Sequence, residues 1–278
     1  MPTIIWIHSI NATENLTTLD TLCQNKTSEF KMKVRVLTRE SQKEGYEKIL
    51  ENYSDYFKDL KLVTAEDEKI SNLGKTKNYE IDYSFDNGYA NVFMLDDDIT
   101  KLEVKVSGSN SIKNPEEVLN SWYDFHCSLL DEDKNCVMTS VLKDLSKAKP
   151  IKSAELYGGI CTQCTLINVR RAKEFNIFYG DNNIVGHEDV DYRAQLIVNG
   201  KTYYRFTELV YGTEPLNTDT FEGDTLQERF TRQRDLFKQK WGEQYPWIIY
   251  TTSMINGIEL DDVKLDPFVN KRGVIESH

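Results

Sequence analysis

The residues best able to do chemistry in this 278-residue chain end one short segment, Asn91-Val92-Phe93-Met94-Leu95-Asp96-Asp97-Asp98. Four apolar residues run straight into three carboxylates. Burying a lone carboxylate costs far more than one strand contact returns, and three side by side repel one another. A divalent cation resolves the conflict. Mg2+ and Mn2+ take hard oxygen ligands, and Mg2+ is commonly held by one or two carboxylates plus substrate phosphates. Open α/β sheets bind ligands beyond the carboxyl ends of their strands. The segment therefore predicts a site for Mn2+ or Mg2+ that holds a phosphorylated ligand. A solvated Asp-rich turn is the plainer reading.

The elements that must position those carboxylates follow the alternation of an α/β sheet, short β-branched runs between longer amphipathic stretches. Strands are expected at Ile4 to His8, Lys33 to Leu37, Leu60 to Thr64, Val92 to Leu95, Leu102 to Val106, Cys136 to Leu142 and Ile160 to Ile167. Helices are expected at Asn15 to Gln24, Glu40 to Tyr56, Lys75 to Asn87 (closed by Gly88), Pro115 to Leu130 and Thr225 to Trp241. Val190, Ala194 and Ile197 fall at i, i+4 and i+7, which makes Glu188 to Val198 an amphipathic helix ending at Asn199-Gly200. The tail from Gly242 to His278 gives no assignable pattern.

Composition narrows the function classes. The chain is 39% hydrophobic and 28% charged, as for an ordinary globular protein. No apolar run reaches the roughly 18 residues of a membrane span, and Met1 to Ile10 lacks the basic and apolar regions of a signal peptide. Membrane insertion is not expected. Five cysteines without a secretory signal suggest a reducing, cytoplasmic compartment, where the sequons at Asn11, Asn15, Asn25 and Asn52 carry no meaning. Cys161 and Cys164 have no second pair nearby, which disfavours zinc. A formal charge of −11 argues against a broad polyanion-binding face, although basic residues cluster from Lys143 to Lys152 and from Arg229 to Lys240.

The order of these pieces resembles the GT-A nucleotide-sugar glycosyltransferases, especially the family 2-like group. In that family a Gly-x-x-x-Arg-Asn segment and a helix precede a strand that ends in Asp-x-Asp. Here Gly74-Lys75-Thr76-Lys77-Asn78 leads into Asp96-Asp97-Asp98, with Lys77 where the family has Arg. Further on, the stretch from Leu166 to Phe206 resembles the segment carrying Glu-Asp-Val-Asp, here Glu188 to Asp191. The resemblance spans roughly residues 3 to 213, judged by motif order. It implies a GT-A fold: a Rossmann-like mixed sheet flanked by helices, with residues 1–222 as the transferase domain. Residues 223–278 would be a C-terminal helix and tail packed on it.

The same resemblance implies roles. Asp96 and Asp98 would hold the metal, and Asp96 would also face the donor. Lys77 would offset diphosphate charge as a point charge rather than a bidentate fork. Asp189, beside Glu188, would be the catalytic base of an inverting hexosyl or pentosyl transfer, kept ionised by its helix N-terminus. His8, Ser9, Thr38 and Arg39 are candidates for the nucleotide base, and Gly158-Gly159 for an acceptor loop. Plain alternatives are helix capping by Glu188 and Asp189 and a tight turn at the glycines. The family's late metal-binding His is absent from Glu208 to Pro215, where Glu214 or water would substitute.

The donor implied is a nucleotide sugar, a UDP-sugar. The compact MLDDDI form resembles the transferases of phage and DNA-hypermodification systems, which implies a hydroxymethylated pyrimidine in DNA as acceptor, in the host cytoplasm for a phage chain. Lys143, Lys147, Lys149, Lys152, Arg229, Arg232 and Arg234 would line its backbone groove. The alternatives are a surface polysaccharide or lipid-linked acceptor, a nucleotidyltransferase, and a non-catalytic binding domain. A nucleotidyltransferase would want a Gly-rich basic loop after the first strand, which Ile7 to Leu19 lacks.

Overall fold

The computed structural model describes residues 2–10, 16–24, 29–105, 111–143, 154–159, 163–180, 187–213, 225–255 and 258–267. Strands β1 (Thr3–His8), β2 (Val34–Arg39) and β4 (Asn91–Asp96) are almost wholly buried, as strands covered on both faces are, while β3 (Leu60–Ala65) is a half-exposed edge. They pair in parallel in the order β3-β2-β1-β4. The sheet continues through β9 (Cys164–Asn168), β7 (Cys136–Leu142), β10 (Thr202–Thr213), β5 (Ile99–Lys105) and β6 (Ser111–Ile112), with β8 (Ala154–Leu156) beside β10. Antiparallel pairing begins at β4–β9, so the sheet is mixed.

Period-two alternation divides the apolar strand residues between two layers. Ile5, Ile7, Phe93 and Leu95 meet α1 (Thr17–Cys23), α2 (Lys43–Glu51) and α4 (Pro115–Glu132). Ile4, Trp6, Val92 and Met94 meet α3 (Leu73–Asp86), α5 (Val169–Glu174) and α6 (Glu188–Val198). A third cluster packs Val190 and Ala194 of α6 against α7 (Leu226–Trp241) and a hairpin of β11 (Ile248–Ile255) and β12 (Ile258–Leu265). Among the described residues no helix is long and apolar enough to cross a membrane.

Two expectations change. The second helix stops at Glu51 after a 3-10 turn at Glu40–Gln42, because Tyr53 and Phe57 turn into the core beside Phe30. The C-terminal extension carries the hairpin as well as the expected helix. Between helix and hairpin, Trp241 meets Tyr245 edge-on and Tyr245 meets Trp247 at a tilt, a run of aromatics packed into the third cluster. Cys161 and Glu214 lie outside the described residues.

Candidate active site

The parallel register sets the first contact. His8 and Asp96 are register partners at the carboxyl ends of β1 and β4, the edge where open sheets bind ligands. His8 donates from Nε2 to Asp96 Oδ1 at 2.7 Å and from Nδ1 to Glu80 Oε1 at 3.2 Å. Two such bonds need both ring nitrogens protonated. Burial alone would push the ring pKa down, but Glu80 and Asp96 outweigh it and raise it to about 10. Burial likewise pushes the Asp96 carboxyl up, and His8 more than offsets it, so Asp96 stays ionised.

The turn after β4 spreads its carboxylates. Asp97 accepts from Ser9, whose hydroxyl also meets Tyr46 OH at 2.8 Å. Thr18 of α1 pins the turn, donating to Asp96 O at 2.6 Å while its backbone N–H reaches Asp97 O at 3.1 Å. Gln163 Nε2 makes long contacts to Asp98, at 3.3 and 3.4 Å, and Lys143 Nζ donates to the same Gln163 at 3.1 Å. Burial, then repulsion from Asp96 and Asp97, lifts the Asp98 carboxyl to about 6.

That donor set fits a divalent cation. It is all hard oxygen, and Asp98 carries charge that no ion pair among the described residues neutralises. No three His, Cys, Asp or Glu side chains among the described residues converge as a ready-made cage. A carboxylate pair completed by substrate oxygens is the usual Mg2+ arrangement.

The second acidic group opens α6. His187 occupies the N-cap position without a side-chain cap bond, and Glu188 and Asp189 follow inside the first turn. The carboxylates are therefore not caps. Asp189 Oδ2 lies 3.4 Å from Arg193 Nη2, one turn on. Arg193 Nη1 reaches Gly159 O at 3.4 Å, which links the base candidate to the glycine loop. The helix dipole was expected to keep Asp189 ionised. Burial opposes it and dominates, so its carboxyl is pushed up, with Arg193 pulling the other way.

Lys77 joins the two acidic groups. It is 2% exposed, with Nζ 3.5 Å from Glu188 Oε1 and 5.1 Å from the centre of the Tyr179 ring. Burial opposes its charge, but Glu188, Asp96, Asp189 and Glu80 together hold the ammonium firmly protonated. Asn78 fixes the same neighbourhood: it donates to Tyr179 O at 2.7 Å and accepts from Tyr179 N at 2.8 Å. The first turn of α3 lies against α6 at Gly74, where a Cβ would make an ordinary 3.5 Å contact with Glu188 Cβ.

The remaining candidates sit as follows. Thr38 is buried and donates to Gln42 Oε1 at 3.2 Å. The Nε of Arg39 is buried without a partner among the described residues. Gly158 answers to packing: a Cβ there would lie 2.6 Å from Arg205 Cβ. His187 packs its ring edge-on to Phe230 and Phe237 of α7. Arg234 pairs with Asp261 and Asp235, so its charge is already satisfied. Lys147, Lys149 and Lys152 lie outside the described residues. Sequence reasoning missed Thr18, Glu80, Gln163 and Arg193; of these only Arg193, at i+4 from Asp189, left a local signal.

Comparison with known proteins bears on this site. The family described as TET-Associated Glycosyltransferase matches residues 3–218. A search of curated proteins gives no match. Among solved structures, S. aureus TarS residues 1–349 in complex with UDP-GlcNAc is similar at 12% identity, with a TM-score of 0.54, covering 88% of this chain and 68% of that one. GalNAc-T7 with UDP, GalNAc and Mn2+ is similar at 11% identity, with a TM-score of 0.53, covering 88% of this chain and 49% of that one. Both likenesses establish the GT-A fold. With most of its length matched, the chain belongs to the TET-associated glycosyltransferase family.

Proposed function

We propose that this glycosyltransferase moves a sugar from a UDP-sugar to the hydroxymethyl group of a modified pyrimidine in DNA, inverting the anomeric carbon. The observation that carries the reading is Lys77, a buried cation shared by the β4 carboxylate Asp96 and the α6 carboxylates Glu188 and Asp189. It supports one cleft in which donor and base meet.

Within that reading Asp96 and Asp98 would hold Mn2+ or Mg2+, which when bound would supply Lewis-acid stabilisation of the diphosphate. Lys77 lies where it can offset the negative charge that develops on the leaving nucleoside diphosphate. His8, backed by Glu80, orients Asp96. Thr38 and Arg39 at the end of β2 are the contacts for the nucleotide base, with Arg39 Nε able to donate. The acceptor oxygen attacks the anomeric carbon as its bond to the β-phosphate oxygen breaks. The bonding pair leaves with UDP, and the hydroxyl proton passes to Asp189. Burial raises the proton affinity of Asp189 toward what a base working near neutral pH needs. Arg193 holds that carboxylate and touches the Gly159 carbonyl, so base and acceptor loop are placed together.

UDP-GlcNAc in the TarS complex, and UDP with Mn2+ in the GalNAc-T7 complex, support the donor and the metal. The family's name supports the acceptor. A hydroxymethylated pyrimidine carries a primary alcohol, the kind of nucleophile a general base at Asp189 would deprotonate. The test is to incubate the protein with Mn2+, a panel of UDP-sugars and duplexes containing 5-hydroxymethylcytosine, then weigh the nucleosides. Sugar should appear on the modified base alone. Asp189→Asn should lower turnover by about 10²- to 10⁴-fold while UDP still binds. Transfer to a glycan acceptor with none to DNA would overturn the acceptor assignment.

A further inference from the structure

Helix α6 presents two faces. Glu188, Asp189 and Arg193 face Lys77 and the glycine loop. His187, Val190, Asp191 and Ala194, spaced at i, i+3, i+4 and i+7, face α7. The contact on that second face is unusually polar at its centre. Asp191 is 0% exposed and accepts from Trp241 Nε1 at 2.7 Å, Gln195 Nε2 at 2.8 Å and Lys240 Nζ at 2.9 Å. Gln195 also donates to Phe178 O at 2.7 Å, and Lys240 lies 5.9 Å from the Phe178 ring centre. Phe178 precedes Tyr179, the ring beneath Lys77.

A solvated acidic side chain in the first turn would serve the helix dipole equally well. A fully buried carboxylate is stabilising only when donors meet it in fixed geometry, and such groups are best attested as setters of register. Two of the three donors, Lys240 and Trp241, lie beyond the family match, which ends at residue 218.

We propose that α7 positions the active site from behind, through the second face of α6. The clasp of Lys240 and Trp241 on Asp191 fixes the first turn of α6, and so aims Glu188 and Asp189 at the reacting groups. Lys240 and Trp241 are then positioning residues supplied from outside the family's common segment. The proposal rests on Asp189 being the base.

The test compares Lys240→Met, Trp241→Phe and the conservative Lys240→Arg with the full wild-type chain. Amide hydrogen exchange is read along α6, UDP binding with Mn2+ by calorimetry, and sugar transfer to hydroxymethylcytosine duplex by turnover. Lys240→Met and Trp241→Phe should speed exchange of the α6 first turn at least tenfold while α3 and β4 stay protected. UDP affinity should remain within about twofold, and turnover should fall at least tenfold. Lys240→Arg should restore both exchange and turnover. Unchanged exchange in α6 would overturn the proposal, as would a loss of UDP affinity matching the loss of turnover, which marks general loosening. A wild type that transfers nothing to DNA would refute the acceptor reading, while the exchange and UDP arms still decide the clasp. A fully active Asp189→Asn control would remove the base and overturn the aiming role with it.

Discussion

At Lys77 a single ammonium group, almost without solvent, faces carboxylates brought from two distant stretches of chain. Removing it leaves buried acids uncompensated, so Lys77→Met should destabilise the fold by about 3–5 kcal/mol, measured by urea unfolding. Adding Glu188→Gln should recover part of that loss; no recovery would mean the pair is not energetically joined. Three carboxylates closing an apolar run drew attention to Asp96 and Asp98, and motif order shared with the GT-A family pointed to Lys77 and Asp189; the structure brings Lys77 against Glu188, the neighbour of Asp189. Glu80 and Gln163 were not legible. Their partners His8 and Asp98 lie 72 and 65 positions away, and nothing local in a helix interior or a strand approach announces such a pairing. The bias was also misjudged at Asp189, where burial outweighs the helix dipole.

Among the elements, β8 and β10 meet so closely at Gly158 that this position has no room for a side chain. Gly158→Ala should cost about 1–3 kcal/mol by overpacking against Arg205 Cβ, seen as a lowered melting point. Gly159→Ala should cost less, because its neighbour at 3.0 Å is the movable Arg205 guanidinium. Equal losses would contradict that account of the loop. The contact of α4 with β7 carries a pH dependence. Trp122 Nε1 donates to Thr139 Oγ1 at 2.9 Å, and the Thr139 hydroxyl shares a hydrogen bond with His126 Nδ1, also at 2.9 Å. Burial then holds His126 neutral, its pKa lowered to about 3. The unfolded ring takes a proton below about 6.5 and the folded ring does not. Stability from this source is complete above that pH and declines as pH falls, by at most about 1.4 kcal/mol per unit. Urea midpoints of wild type should drop more steeply between pH 7 and 5 than those of His126→Leu; parallel curves would contradict it. Most strands and helices up to α7 were readable from apolar runs and helical spacing, but β6, β8, α5 and the long β10 were not assigned, being short or, in β10, rich in Thr, Tyr and charged residues. The hairpin of β11 and β12 was passed over because its runs mix Thr, Ser, Asp and Glu with apolar residues. The sequence did hold a hairpin signal in Asn256-Gly257.

For the whole molecule, the parallel half of the sheet delivers the carboxyl ends of β1, β2 and β4 to one edge, and the antiparallel half carries the chain round to α6. A DNA acceptor, as proposed, would have to meet a chain of net charge −11 through local basic residues such as Lys143, which stands beside the Asp98 amide partner. Binding there should weaken steeply with salt. The central claim is spatial: the acidic end of β4 and the acidic start of α6 grip the two ends of one reaction. It is tested most directly by diffraction from crystals soaked with Mn2+ and a UDP-sugar. The account predicts an anomalous peak within about 2.0–2.6 Å of Asp98 and Asp96 oxygens, with the diphosphate beside Lys77 and the anomeric carbon facing Asp189. A nucleotide bound away from Asp98, or a sugar turned away from Asp189, would contradict it.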